Sequence, residues 1–138
     1  MDSSFIGSWK LDPSKNVGME AFGKAMGLPP DQVENYNKLS YVVTMTQDGE
    51  KFTVSVDFAG AMPNRSYTMK LGETIDYNSA AGVTAKLTVT MDNGKVLETY
   101  ENEEKKTKWT VQRSVAGNEM TAVTKLGDAT LTQVLIKV

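Results

Sequence analysis

One arginine sits on the wrong side of an otherwise regular strand. Along residues 108–115, Trp109, Val111 and Val115 alternate with Lys108, Thr110, Gln112 and Ser114, the period-two pattern of a half-buried strand. The same parity puts Arg113 among the apolar residues. A guanidinium stays ionised, and taking an unpaired ion out of water costs several kcal/mol. Two readings stay open at this point. The side chain reaches the rim or bonds buried carbonyls, or it marks an interior anion site for a carboxylate.

Composition narrows what else the chain can do. It has no Cys and no His, which removes disulfides, thiolate nucleophiles, the commonest metal ligands and the commonest general base. Neither an enzyme nor a metal or other cofactor is expected. The formal net charge of -2 lacks the basic surplus that binding phosphate backbones requires, so no nucleic-acid partner is expected. Residues 1–5 show no basic region followed by an apolar run, and no apolar stretch reaches the roughly 18 residues of a membrane span. The expectation is a cytoplasmic protein. With 138 residues, 40% hydrophobic and 23% charged, the chain 1–138 reads as one domain, large enough for a core or for a barrel around a cavity.

The elements that must position Arg113 follow from periodicity. A first strand is read at residues 6–11, stopped by Asp12-Pro13. From 16 to 26, Met19, Phe22 and Met26 recur at i, i+3 and i+7 as one apolar stripe, with Asn16 as N-cap and Gly27 closing the helix. Pro30 and Asp31 suit the first turn of a second helix, with Val33 and Tyr36 on its apolar side, ending near Lys38. From Leu39 onward the period is two. Strands are read at 41–47, 52–58, 67–71, 74–77, 83–90, 95–100, 107–115, 119–125 and 129–138, with turn signals at Asp48-Gly49, Asn93-Gly94, Gly117-Asn118 and Gly127-Asp128. The charged run 101–106 reads as a solvated turn. Ten short strands in meander order, with a helix pair after the first, predict an antiparallel up-and-down β-barrel, because closure removes exposed edges and leaves an internal cavity.

Several stretches, taken in order, resemble the intracellular lipid-binding proteins, which include the fatty-acid-binding, retinoid-binding and bile-acid-binding proteins. They are Phe5-Ile6-Gly7-Ser8-Trp9-Lys10, Met69-Lys70-Leu71-Gly72 with Asp76, Val89-Thr90-Met91-Asp92-Asn93-Gly94-Lys95, and Gly117-Asn118-Glu119-Met120. The resemblance covers essentially the whole chain. It implies a ten-stranded lipocalin-like barrel with a helix–turn–helix lid, binding and carrying a long-chain fatty acid or similar hydrophobic carboxylate. It also implies a head-group anchor of one Arg on the eighth strand and an Arg-x-Tyr on the tenth. Arg113 falls on the first position, but Gln133 and Leu135 occupy the tenth-strand positions, so the chain departs from the pattern there. Leu126-Gly127-Asp128-Ala129-Thr130-Leu131 looks most like the liver-type branch, and a retinoid or bile-acid carrier is the alternative of the same fold.

On that resemblance, Arg113 and Gln133 are expected at the head group, with Leu135, at the other tenth-strand position, among the ligand-binding residues. Phe22, Met26, Val33 and Tyr36 of the lid, Met62 at the portal, and Tyr41, Val111 and Leu131 of the wall are expected around the tail. Phe22 and Met26 could equally serve only to pack the lid. Trp9 is expected to pack the closed end. Eight Met residues suit an adaptable cavity. A monomer is expected, with Lys15, Lys24 and Lys38 offering transient contact with anionic membranes. The enzyme alternative is a barrel that uses Arg113 with a carboxylate, Asp76 or Glu73, for proton transfer. The absent signal, absent Cys and early helix pair argue against a secreted lipocalin.

Overall fold

The computed structural model describes residues 2–78 and 84–138. Val83, read above as part of a strand, lies outside the described residues. After a short 3-10 turn at Ser3–Phe5, the chain forms β1 (Gly7–Val17), α1 (Met19–Ala25) and α2 (Pro30–Lys38). Nine strands follow: β2 (Val42–Asp48), β3 (Lys51–Asp57), β4 (Arg65–Lys70), β5 (Thr74–Asn78), β6 (Thr84–Asp92), β7 (Lys95–Asn102), β8 (Thr107–Ala116), β9 (Glu119–Leu126) and β10 (Ala129–Lys137). They make one ten-stranded sheet in the order β4-β3-β2-β1-β10-β9-β8-β7-β6-β5.

Every pairing is antiparallel, and β1 pairs with β10, which brings the chain's two ends together. Among the described residues no ladder joins β4 to β5. The two outer strands nevertheless meet. The Tyr67 hydroxyl donates to the Asn78 carbonyl at 2.6 Å, and the Tyr67 and Tyr77 rings lie 5.1 Å apart. The sheet therefore curls into a nearly closed barrel. The β6–β7 turn is tight: Asp92 pairs with Lys95 across Asn93-Gly94, whose φ values of 51° and 77° are those of a type I′ hairpin.

The first strand outruns its expected stop at Pro13. Pairing with β2 covers only Gly7–Lys10, and pairing with β10 shifts register between Asp12 and Val17. Pro13 thus lies where no ladder needs its missing N–H. Asn16 is consequently not the helix cap but part of β1, donating from Nδ2 to the Asn37 backbone and side-chain oxygens at 3.3 Å. Gly18 takes the cap position instead, with φ 94°; a Cβ there would run into the Thr130 carbonyl of β10, so only glycine lets the chain turn this close to the barrel. Gly27 ends α1 as expected. The Leu28 N–H bonds the Gly23 carbonyl at 2.9 Å and the Gly27 N–H bonds the Lys24 carbonyl at 3.0 Å, a Schellman closure.

Two further boundaries differ. β7 continues through Asn102, which is buried and accepts a bond from the Lys105 N–H at 2.9 Å, so the solvated turn starts later than expected. Leu71 follows β4 rather than ending it, and is exposed. At the closed end Phe5, Trp9, Leu11, Met120 and Leu135 are almost wholly buried, and the Trp9 indole donates to the Phe5 carbonyl at 3.1 Å. The helices cover the other end: α1 packs on β10 and α2, and α2 on β1.

Candidate functional site

The barrel interior holds a cavity of about 320 Å³. Inward-facing positions of β2 and β3 supply much of its wall, with Phe52, Val54, Val56 and Phe58 alternating inward along β3 and just past its end. Met19 and Phe22 of α1, Met26 at its C-cap, Tyr36 of α2 and Met62 close it beneath the helices. Five of the eight Met side chains line it: Met19, Met26, Met45, Met62 and Met69. A run of rings crosses the remaining wall. Tyr77 meets Tyr100 edge-on at 4.9 Å, and Tyr100 stacks on Trp109 at 5.2 Å with the planes 4° apart.

Arg113 projects into this cavity as its parity requires, but it does not stand alone. Its Nε donates to Oε2 of Glu98, and Oε1 of the same carboxylate accepts from the Tyr100 hydroxyl. The register explains the encounter. Arg113 lies opposite Val96 on β7, which makes Glu98, two residues further along the same face, its diagonal neighbour. Both side chains are largely buried, at 16% and 10% exposure. Burial works against the Arg113 charge, yet the neighbouring Glu98 charge and hydrogen bond outweigh it and hold the guanidinium above its ordinary pKa. Burial, reinforced by the Glu98 charge, likewise pushes the Tyr100 hydroxyl well up. Tyr41 is raised by burial, with Arg113 opposing and Glu98 adding.

Sequence reasoning missed Glu98. Val96, Glu98 and Tyr100 share one face of β7, but Leu97 on the opposite face hides which side is inward, so the parity that exposed Arg113 on β8 gave no such signal here. Among the cavity's described lining residues Glu98 and Arg113 are the only charged side chains. The Arg113 Nη1 approaches the Met120 sulfur at 3.8 Å. No described residue accepts from its Nη2, and the Gln133 amide, which also lines the cavity, has no protein hydrogen-bond partner among the described residues.

Eight of the expected site residues come together around the cavity: Arg113, Gln133, Tyr41, Phe22, Met26, Tyr36, Met62 and Leu131. Three do not line it. Val33 is buried between the helices against Gly23, Val111 belongs to the packed core, and Leu135 pairs with Leu11 in the closed end. The carboxylates of the enzyme alternative are elsewhere too. Asp76 is exposed and ion-paired with Lys86, and Glu73 lies in an exposed turn. Among the described residues no group of acidic side chains could hold a metal ion, and no helix is long and apolar enough to cross a membrane.

Fold and site together define an up-and-down barrel enclosing a small, mostly apolar ligand site. The family model of the lipocalin / cytosolic fatty-acid binding proteins matches residues 3–138, and the chain belongs to that family. It is 31% identical over 136 residues to fatty acid-binding protein 1 of Fasciola gigantica, covering 98% of each chain. It is 27% identical over 133 residues to gastrotropin of Rattus norvegicus, covering 95% of each. Among solved structures it is similar to the Schistosoma mansoni fatty acid binding protein in complex with arachidonic acid, with a TM-score of 0.89 and 27% identity over 99% of this chain and 97% of that one.

Proposed function

We propose that the protein binds a long-chain fatty acid, or a closely related single-chain lipid, without covalent attachment and carries it inside the cell. The carrying observation is the enclosed cavity, lined mostly by apolar and aromatic side chains, with Arg113, Glu98 and Tyr100 bonded to one another and Gln133 in register with Arg113 across Ala122. Each methylene taken from water contributes roughly 0.8 kcal/mol, so the tail dominates affinity. The polar cluster orients the head, with Arg113 and Gln133 offering donors toward it. A volume near 320 Å³ is at the low end for small-molecule sites, which favours one ligand at a time. The solved relative with arachidonic acid supports the ligand class.

The protein acts as a monomer in this reading. Membrane contact through the lid has weaker support. Lys38 is paired with Glu34 at 2.9 Å, and Glu20, Asp31 and Glu34 outnumber Lys24 and Lys38 on the two helices. The aromatic wall of Tyr77, Tyr100 and Trp109 favours, as a second reading, a flat conjugated ligand of the retinoid kind.

Native mass spectrometry of the purified protein tests both readings. A single co-purified acyl lipid supports the first, and a ring-bearing polyene supports the second. Tryptophan fluorescence locates the ligand. Trp109 lines the cavity whereas Trp9 is sealed in the closed end, so a fatty-acid titration should alter emission in Trp9→Phe and not in Trp109→Phe. A response carried by Trp9 alone would place the ligand outside the cavity.

A further inference from the structure

The head-group end of the cavity carries both charges of an ion pair rather than one free cation. We propose that Glu98 is the residue that sets head-group specificity: by neutralising Arg113 from inside the barrel, it makes the site one for an uncharged hydrogen-bonding head, such as an alcohol, amide or ester, in preference to a carboxylate. The inference rests on the carrier reading above, keeps its single acyl chain and shifts the preferred head from the ionised acid to the closely related uncharged lipids that the reading includes.

The geometry carries the argument. The Arg113 Nε is committed to Glu98 Oε2, and Glu98 Oε1 is held by the Tyr100 hydroxyl. The carboxylate is thus fixed from two directions, on two adjacent strands, and is not a mobile side chain that a ligand displaces freely. The Arg113 Nη2 remains available to a ligand, with Gln133 also at the cavity surface. A carboxylate bonding Nη2 would lie within the width of one guanidinium of the Glu98 carboxylate, so attraction to Arg113 and repulsion from Glu98 largely cancel in a low-dielectric interior. A hydroxyl or amide carbonyl bonds the same Nη2 without that repulsion. Its own N–H or O–H can donate to the Gln133 carbonyl oxygen or to a spare lone pair on Glu98. Among the cavity's described lining residues no second cation restores the balance in favour of an anion.

The test compares oleic acid, oleyl alcohol and oleamide on the wild type and on Glu98→Gln by calorimetry at neutral pH and fixed salt. The wild type should hold the alcohol and the amide at least as tightly as the ionised acid. Glu98→Gln keeps the shape and removes the charge, and should raise the acid-to-alcohol affinity ratio about 10- to 150-fold, the worth of one charge-assisted hydrogen bond no longer opposed. A wild type that prefers the acid by about tenfold or more, or a ratio unmoved in Glu98→Gln, overturns the assignment to Glu98 and leaves the carrier reading intact. The wild-type ratio decides the matter even where the variant does not fold. Binding of none of the three lipids overturns the carrier reading and this inference with it.

Discussion

Val33 of α2 rests directly on Gly23 of α1: a Cβ at Gly23 would meet both Val33 methyl groups, Cγ1 at 3.0 Å and Cγ2 closer still. The two lid helices are seven and nine residues long, too short to be stable alone, and this close contact is where they pack on each other. Gly23→Ala should therefore spread the lid. The overpacking costs about 1–3 kcal/mol, offset by the roughly 1 kcal/mol that alanine gains over glycine in a helix. The net loss in thermal stability should be small and the gain in ligand release rate clear. Adding Val33→Ala should restore slow release. Unchanged dissociation kinetics in Gly23→Ala would show that the lid does not gate the cavity.

The Glu98–Arg113 pair should behave as a unit in stability as well. Arg113→Met leaves a largely buried carboxylate without its cation and should cost about 3 kcal/mol or more. The double variant Glu98→Gln, Arg113→Met removes the stranded charge and should recover most of that loss. Denaturant unfolding of the four-member cycle measures the coupling; additive losses would mean that water in the cavity screens the pair completely.

Alkaline pH should unfold the barrel through its tyrosines. Burial, then the neighbouring Tyr67 and Glu98, raises Tyr77 above its ordinary value of 10.0, and burial with the Glu98 charge raises Tyr100. Above about pH 10 the unfolded chain releases protons that the native barrel retains, so the unfolded state binds fewer protons and stability falls as pH climbs. The slope is about 1.4 kcal/mol per pH unit for each such tyrosine. Stability from these groups is thus complete below pH 10 and lost above it. Tyr77→Phe should flatten the decline, and tyrosinate absorbance should rise together with unfolding. Titration of Tyr77 in a barrel that stays folded would contradict the sequestered placement.

The strands were legible because a barrel wall imposes period two, and residues 108–115 and 52–58 show it with little interruption. Where the reading slipped, another interaction had overridden a local signal. Asp12-Pro13 reads as a stop, yet β1 continues along β10 after its β2 partner has left. Asn16 reads as a cap, yet Gly18 alone fits against the Thr130 carbonyl. Glu98 stayed hidden for a different reason. Leu97 puts an apolar residue on the outer face of β7, so alternation there does not reveal which side is in. Parity found Arg113 but could not find its diagonal partner, since that depends on the register of β7 against β8. Depth along the barrel was equally illegible. Val111 and Leu135 share their strands' inward parity with Arg113 and Gln133, but parity cannot tell a cavity wall from a packed floor.

The slit between β4 and β5 gives the fold a liability as well as a seam. Among the described residues, each of these strands carries backbone donors and acceptors on its outer side that no neighbouring strand satisfies, and such an edge is a template for a strand from another molecule. The fold blunts it by brevity, with only five residues in β5, by charges at Arg65, Lys70 and Asp76, and by the hydroxyl of Tyr67 latched onto Asn78. At high concentration, the stickiness of this protein is set by how well brevity, charge and that latch together cover one short edge.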